Sequence, residues 1–108
     1  MNYITNSTVV PCDGLWNCIT VTQEFADEWI HNNSFISAIG HESTAQVIST
    51  VLGVDVPMNR ITLNELEVDT QILCFKLKQR APEGVILNIE QIVEIGYEWK
   101  LMTLISIN

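Results

Sequence analysis

The sequence predicts one α/β domain spanning residues 1–108, a mixed sheet of about five strands with helices packed on it. Three observations carry the prediction. Strand-like and helix-like segments alternate along the chain. The chain is 47% hydrophobic, enough for a proper core. Its 108 residues fit one domain and leave no room for a second.

The elements follow in order. Tyr3 to Asn6 reads as a first strand, and Pro11-Cys12-Asp13-Gly14 as a turn. A second strand is expected near Cys18 to Val21. A first helix runs from about Gln23 to His31, capped by Thr22, with Phe25, Ala26, Trp29 and Ile30 on one face. Asn32-Asn33-Ser34 ends it. A second helix begins just after Gly40 and runs to Leu52, with Ala45, Ile48, Val51 and Leu52 as its buried stripe, widened by Val47. Gly53 stands where a capping glycine belongs. His41, Glu42, Ser43 and Thr44 then occupy the first turn.

Ile61 to Leu66 and Gln71 to Lys78 read as strands, the latter alternating Leu73, Phe75 and Leu77 onto one face. Pro82 and Gly84 make Gln79 to Gly84 a loop. Asn88 and Gln91 form a capping-box pattern that opens a third helix, which ends at Gly96. Trp99 to Ile107 is a last, mostly apolar strand, expected inside the sheet.

Composition narrows the function. Thirteen acids face five bases, a formal charge of −8. Such a chain is not expected to bind long nucleic acid, which needs a broad cationic surface. It can still hold a small anion in a local pocket, which draws attention to Arg60 and Arg80. No apolar run reaches the length of a membrane span, and the start has no basic segment followed by a long apolar stretch, so neither membrane insertion nor secretion is expected. Cys12, Cys18 and Cys74 are odd in number and lack a Cys-x-x-Cys spacing, so buried reduced thiols are expected rather than a disulfide framework or a zinc site. No metal or other cofactor is expected.

Three segments stand out at element ends: Ile39-Gly40-His41-Glu42-Ser43-Thr44, Asn59-Arg60, and Gln79-Arg80-Ala81-Pro82-Glu83-Gly84. His41 at a helix start sits where free N–H groups favour an anion, and a histidine is suited to proton transfer near neutrality. The plainer alternative is a histidine that caps the helix or packs there. Arg80 has the guanidinium fork that suits phosphate; the plainer alternative is a surface ion pair with Glu83. Arg60 has an equally plain alternative.

Taken together, these segments and the early Tyr3-Ile4-Thr5-Asn6-Ser7 resemble the viral ring nucleases, type III anti-CRISPR enzymes that degrade cyclic tetra-adenylate. The resemblance covers nearly the whole chain and lies in the order and spacing of the segments. It implies a homodimer with the cyclic ligand held across the two-fold axis, and a chain without a secretion signal is expected to act in the cytoplasm. His41, Arg80 and Glu83 match the family's catalytic residues, and Asn6, Arg60 and Gln79 its ligand-binding positions. Where the family has a serine shortly after the asparagine, this chain has Val9, and Ser7 or Thr8 is expected to substitute. The implied reaction needs neither a metal nor a protein nucleophile, because a ribose 2′-hydroxyl attacks its own 3′-phosphate. Two rival readings stay open. One is a module of the same fold that sequesters the cyclic nucleotide uncut. The other is an acidic mimic of nucleic acid, although the carboxylates are scattered rather than clustered.

Overall fold

A computed structural model describes residues 2–63, 66–79 and 87–107. In chain order the elements are β1 (Asn2–Thr5), β2 (Leu15–Val21), α1 (Gln23–Asn32), β3 (Phe35–Ser37), α2 (Glu42–Leu52), β4 (Gln71–Leu77), α3 (Ile89–Ile95) and β5 (Tyr97–Ser106). The strands form one sheet in the order β2-β5-β4-β1-β3. β1 is parallel to both its neighbours, with Ile4 level with Ser37 on one side and Leu73 on the other. β5 runs antiparallel to β4 and β2, where Trp99 faces Phe75 and Val21. The sheet is mixed and the fold is α/β, as the sequence predicts.

Side chains alternate across the sheet and give it two unlike faces. On one face Ile4, Leu73, Phe75, Trp99 and Leu101 pack against Ala26, Trp29 and Ile30 of α1, Ala45, Ile48 and Leu52 of α2, and Ile92 of α3. This is the main core, and each large apolar side chain buried there stabilises the fold by about 1.5–3 kcal/mol. On the other face Ile72, Cys74, Met102 and Leu104, with Trp16 of β2 beside them, pack with Leu63, Leu66 and Cys12 from chain segments without helix.

The helix ends follow local chemistry. Thr22 accepts the N–H of Phe25 and opens α1. Asn88 and Gln91 bond reciprocally at the start of α3, completing the capping box. Gly53 closes α2 at φ 69°, a left-handed conformation that favours glycine, and donates its N–H to Ser49.

Four local expectations are corrected. The described part of Ile61 to Leu66 forms no strand. Ile61 is exposed, and Leu63 and Leu66 lie as coil over the helix-free face instead of pairing. The fifth strand is instead β3, a three-residue edge strand too short to show a period. Phe25 is 37% exposed, so the buried stripe of α1 is Ala26, Trp29 and Ile30. Cys74 is a buried thiol, but Cys12 is half-buried and Cys18 exposed, because Cys18 lies on the edge strand β2. No helix among the described residues is long and apolar enough to cross a membrane.

Candidate functional site

The parallel strands β1, β3 and β4 are neighbours, so their C-terminal ends open on the same edge of the sheet. In open α/β sheets ligands bind outside the carboxyl ends of the strands. Here β1 is followed at once by Asn6 and Ser7, β3 leads through Ala38-Ile39-Gly40 to His41, and β4 leads through Lys78 to Gln79. Three segments far apart in sequence thus converge through strand pairing alone. Asn6, Ser7, His41, Arg60 and Gln79 are all exposed there. Arg80 and Glu83 lie outside the described residues.

His41 is the N-cap of α2 rather than a residue of its first turn, with extended backbone at φ −130° and ψ 133°. Its carbonyl accepts the N–H of Ala45, the first bond of the helix, while its side chain makes no capping bond. The imidazole is exposed. His41 caps the helix with its backbone alone, and its exposed imidazole neither caps nor packs. The α2 N-terminus lacks a side-chain cap from His41, an arrangement that favours an anion. Glu42, in the first turn, is held instead by Gln46 Nε2 at 3.4 Å.

Arg60 reaches this helix start from the far end of α2. Its Nε–H donates to the carbonyl of Gly40 at 2.8 Å, next to His41 in the chain. The preceding Asn59 donates its backbone N–H to Ile39 and its amide to the carbonyl of Ser37, both at 2.8 Å. Ser37 in turn donates its hydroxyl to the carbonyl of Pro57 at 2.6 Å. Sequence reasoning singled out Arg60 but not Ser37 as a support. The available signal was a lone hydroxyl inside the apolar run Phe35-Ile36-Ser37-Ala38-Ile39, since a buried polar group needs a partner.

Ser7 lines a cleft of about 380 Å³ on the helix-free face, together with Thr5, Ala38, Ile61, Leu63 and Met102. Its carbonyl accepts from the thiol of Cys74 at 3.1 Å, tying the Asn6–Ser7 turn to β4. Burial pushes the Cys74 thiol up to about 12, so it stays protonated and able to donate. Among the described residues no group of three or more His, Cys, Asp or Glu side chains is placed to hold a metal ion.

The likeness to known proteins covers almost the whole chain. It is 36% identical over 111 residues to Uncharacterized protein 26 of Sulfolobus islandicus filamentous virus (isolate Iceland/Hveragerdi), covering 98% of this chain and 93% of the relative. It is 32% identical over 100 residues to Uncharacterized protein YddF of Bacillus subtilis (strain 168), covering 91% and 92%. To Uncharacterized protein ORF117 of Acidianus two-tailed virus it is 30% identical over 102 residues, covering 89% and 86%. The fold matches the solved structure of B116 of Sulfolobus turreted icosahedral virus with a TM-score of 0.78 at 18% identity, covering 94% of this chain and 97% of that one. Residues 2–99 match the family described as STIV B116-like, and the chain belongs to that family.

Proposed function

We propose that this protein is a metal-independent ring nuclease that cuts cyclic tetra-adenylate and so switches off type III CRISPR second-messenger signalling. The observation that carries the reading is the convergence of Asn6, Ser7, His41, Arg60 and Gln79 on one edge of the sheet, with the His41 side chain exposed and making no capping bond.

The chemistry fits this sparse equipment. A ribose 2′-oxygen attacks its own 3′-phosphorus, a new P–O bond forms, and the bond to the 5′-oxygen of the next nucleotide breaks. The substrate brings the nucleophile, so the protein has to orient the ring, steady the phosphorane charge and protonate the leaving oxygen. His41 is the proton donor. Arg80 and the N–H groups at the start of α2 are assigned to steadying the developing charge, and Glu83 to orienting the histidine or the reacting ribose. Arg60, Asn6, Ser7 and Gln79 hold the ring. The products are linear di-adenylates with 2′,3′-cyclic phosphate ends.

The ring carries four phosphate charges and one chain supplies two arginines, so a homodimer around one ring is the working assembly. The test is incubation of the pure protein with cyclic tetra-adenylate in excess chelator. Linear product, and one ring per two chains by light scattering with titration, is the expected result. A ring bound but uncut points to sequestration. An unbound ring, with salt-sensitive capture of a basic nucleic-acid enzyme, points to an acidic mimic.

A further inference from the structure

The segment that leaves α2 returns along its flank and clamps the start of the same helix. Ser49 of α2 accepts the N–H of Val56 at 2.9 Å and donates to its carbonyl at 3.1 Å, which fixes where the returning segment begins. Residues 57–60 then lie along residues 37–40, joined by four hydrogen bonds: Ser37 Oγ to Pro57, Asn59 N–H to Ile39, Asn59 Nδ2 to Ser37, and Arg60 Nε to Gly40. Asn59 supplies two of the four, and they grip the carbonyls on either side of Ala38. On its other side Ala38 is held by its own N–H, which donates to Ile4 of β1 at 2.8 Å. The backbone entering His41 is therefore held between β1 and Asn59, and Ile39 is fully buried beneath it.

This arrangement is more than a loop needs in order to close. His41 follows the clamp directly and is extended, and neither it nor Gly40 has regular pairing of its own. A side chain on such a segment is only as well placed as the backbone before it. We propose that Asn59 is a positioning residue for His41, holding Ser37 and Ile39 so that the imidazole meets the reacting phosphate from a fixed backbone. The inference rests on the ring-nuclease reading for its chemistry, and on the four hydrogen bonds for its geometry. Asn59 acts through the backbone of residues 37–40 and touches no ligand in this scheme.

The experiment uses Asn59→Ala and the near-isosteric Asn59→Asp, which keeps the shape and removes the donor. Three quantities are read on the full chain: single-turnover cutting of cyclic tetra-adenylate, equilibrium affinity for it, and amide nitrogen relaxation of residues 39–42. Both variants should cut about 10²-fold more slowly, the cost of roughly 1 Å of misplacement, and affinity should change by less than about threefold. The amides of residues 39–42 should become more mobile, while those of α1 and β5 stay as they are. Should Asn59→Ala not fold, Asn59→Asp carries the same comparison. An unchanged cutting rate, or relaxation unchanged at residues 39–42, overturns the proposal. So does a loss of affinity as large as the loss of rate, which would make Asn59 a ligand contact. A wild-type chain that does not cut the ring at all removes the function proposed above, and the relaxation data still decide whether Asn59 holds the backbone of His41.

Discussion

The Nε–H of Arg60 donates to the carbonyl of Gly40 at 2.8 Å, so a residue expected to bind phosphate also holds the backbone that leads into His41. One planar group then has two tasks, with Nε spent on the protein and the outer nitrogens, which bond no other described residue, offered to an anion. Lysine keeps the charge but has no second fixed donor. We expect Arg60→Lys to retain part of the ligand affinity and lose turnover, and Arg60→Ala to weaken affinity by about tenfold or more. Calorimetry beside single-turnover cutting checks both. A lysine variant as fast as the wild type would leave Arg60 with only a charge to contribute.

Much of the scaffold for this site was legible because its signals are local. The caps at Thr22, Gly53 and Asn88, and the alternation of Leu73, Phe75 and Leu77, each depend on residues a few positions apart. The reading of Ile61 to Leu66 as a strand failed because apolar spacing reports burial, and burial there is reached by coil lying on the sheet. β3 went unread because three residues at an edge carry no period. The site was legible only as separate segments. Their meeting depends on β1 pairing in parallel with both β3 and β4, a non-local fact no spacing encodes. The clamp from Asn59 to Ser37 links residues 22 positions apart and was invisible for the same reason.

Gln23 offers a test of the core that leaves the site alone. Its Oε1 accepts from Trp99 Nε1 at 2.8 Å and from the Tyr97 hydroxyl at 2.9 Å, while its Nε2 donates to Asp27 at 2.9 Å. Trp99 is 1% exposed, so removing the acceptor strands a buried donor. Gln23→Ala should cost about 1–3 kcal/mol in denaturant unfolding. A cost below that range would mean water replaces the amide.

The cysteines should differ sharply in reactivity. Cys18 is exposed on β2, whereas the Cys74 thiol is buried, pushed up to about 12 and donating to Ser7. At neutral pH a thiol reagent should label Cys18 at once and Cys74 only on unfolding, as read by peptide mass mapping. The sign of the pH effect follows. The ordinary thiol value is 9.0, so above about that pH the unfolded chain loses a proton that the fold retains. The stability from keeping Cys74 neutral is fully present below pH 9 and is lost as pH rises toward 12. A Cys74→Ala variant should show a shallower alkaline decline in stability than the wild type.

The N-cap of α2 is the position where stability and the proposed activity oppose each other most directly. Thr22 and Asn88 cap their helices through side-chain oxygens, but His41 makes no such bond. An aspartate at 41 can accept a first-turn N–H and complement the helix dipole. His41→Asp should therefore stabilise the fold by about 1 kcal/mol and raise Tm by roughly 4 °C, against a small repulsion from Glu42. It should also abolish cutting and weaken ligand binding, since it removes the proton donor and sets a negative charge where phosphate is expected. His41→Ala separates these effects. It loses no hydrogen bond, so its stability should stay near that of the wild type, and the arginines and backbone donors should keep the ring bound. Cutting should fall by about 10²–10⁴-fold, the usual contribution of a positioned general acid. Thermal melts, equilibrium binding and single-turnover cutting on the two variants decide the matter together. An alanine variant that cuts at the wild-type rate takes His41 out of the mechanism. An aspartate variant that is less stable than the wild type would show that the imidazole supports the fold, and the argument that this position is held for chemistry would fail.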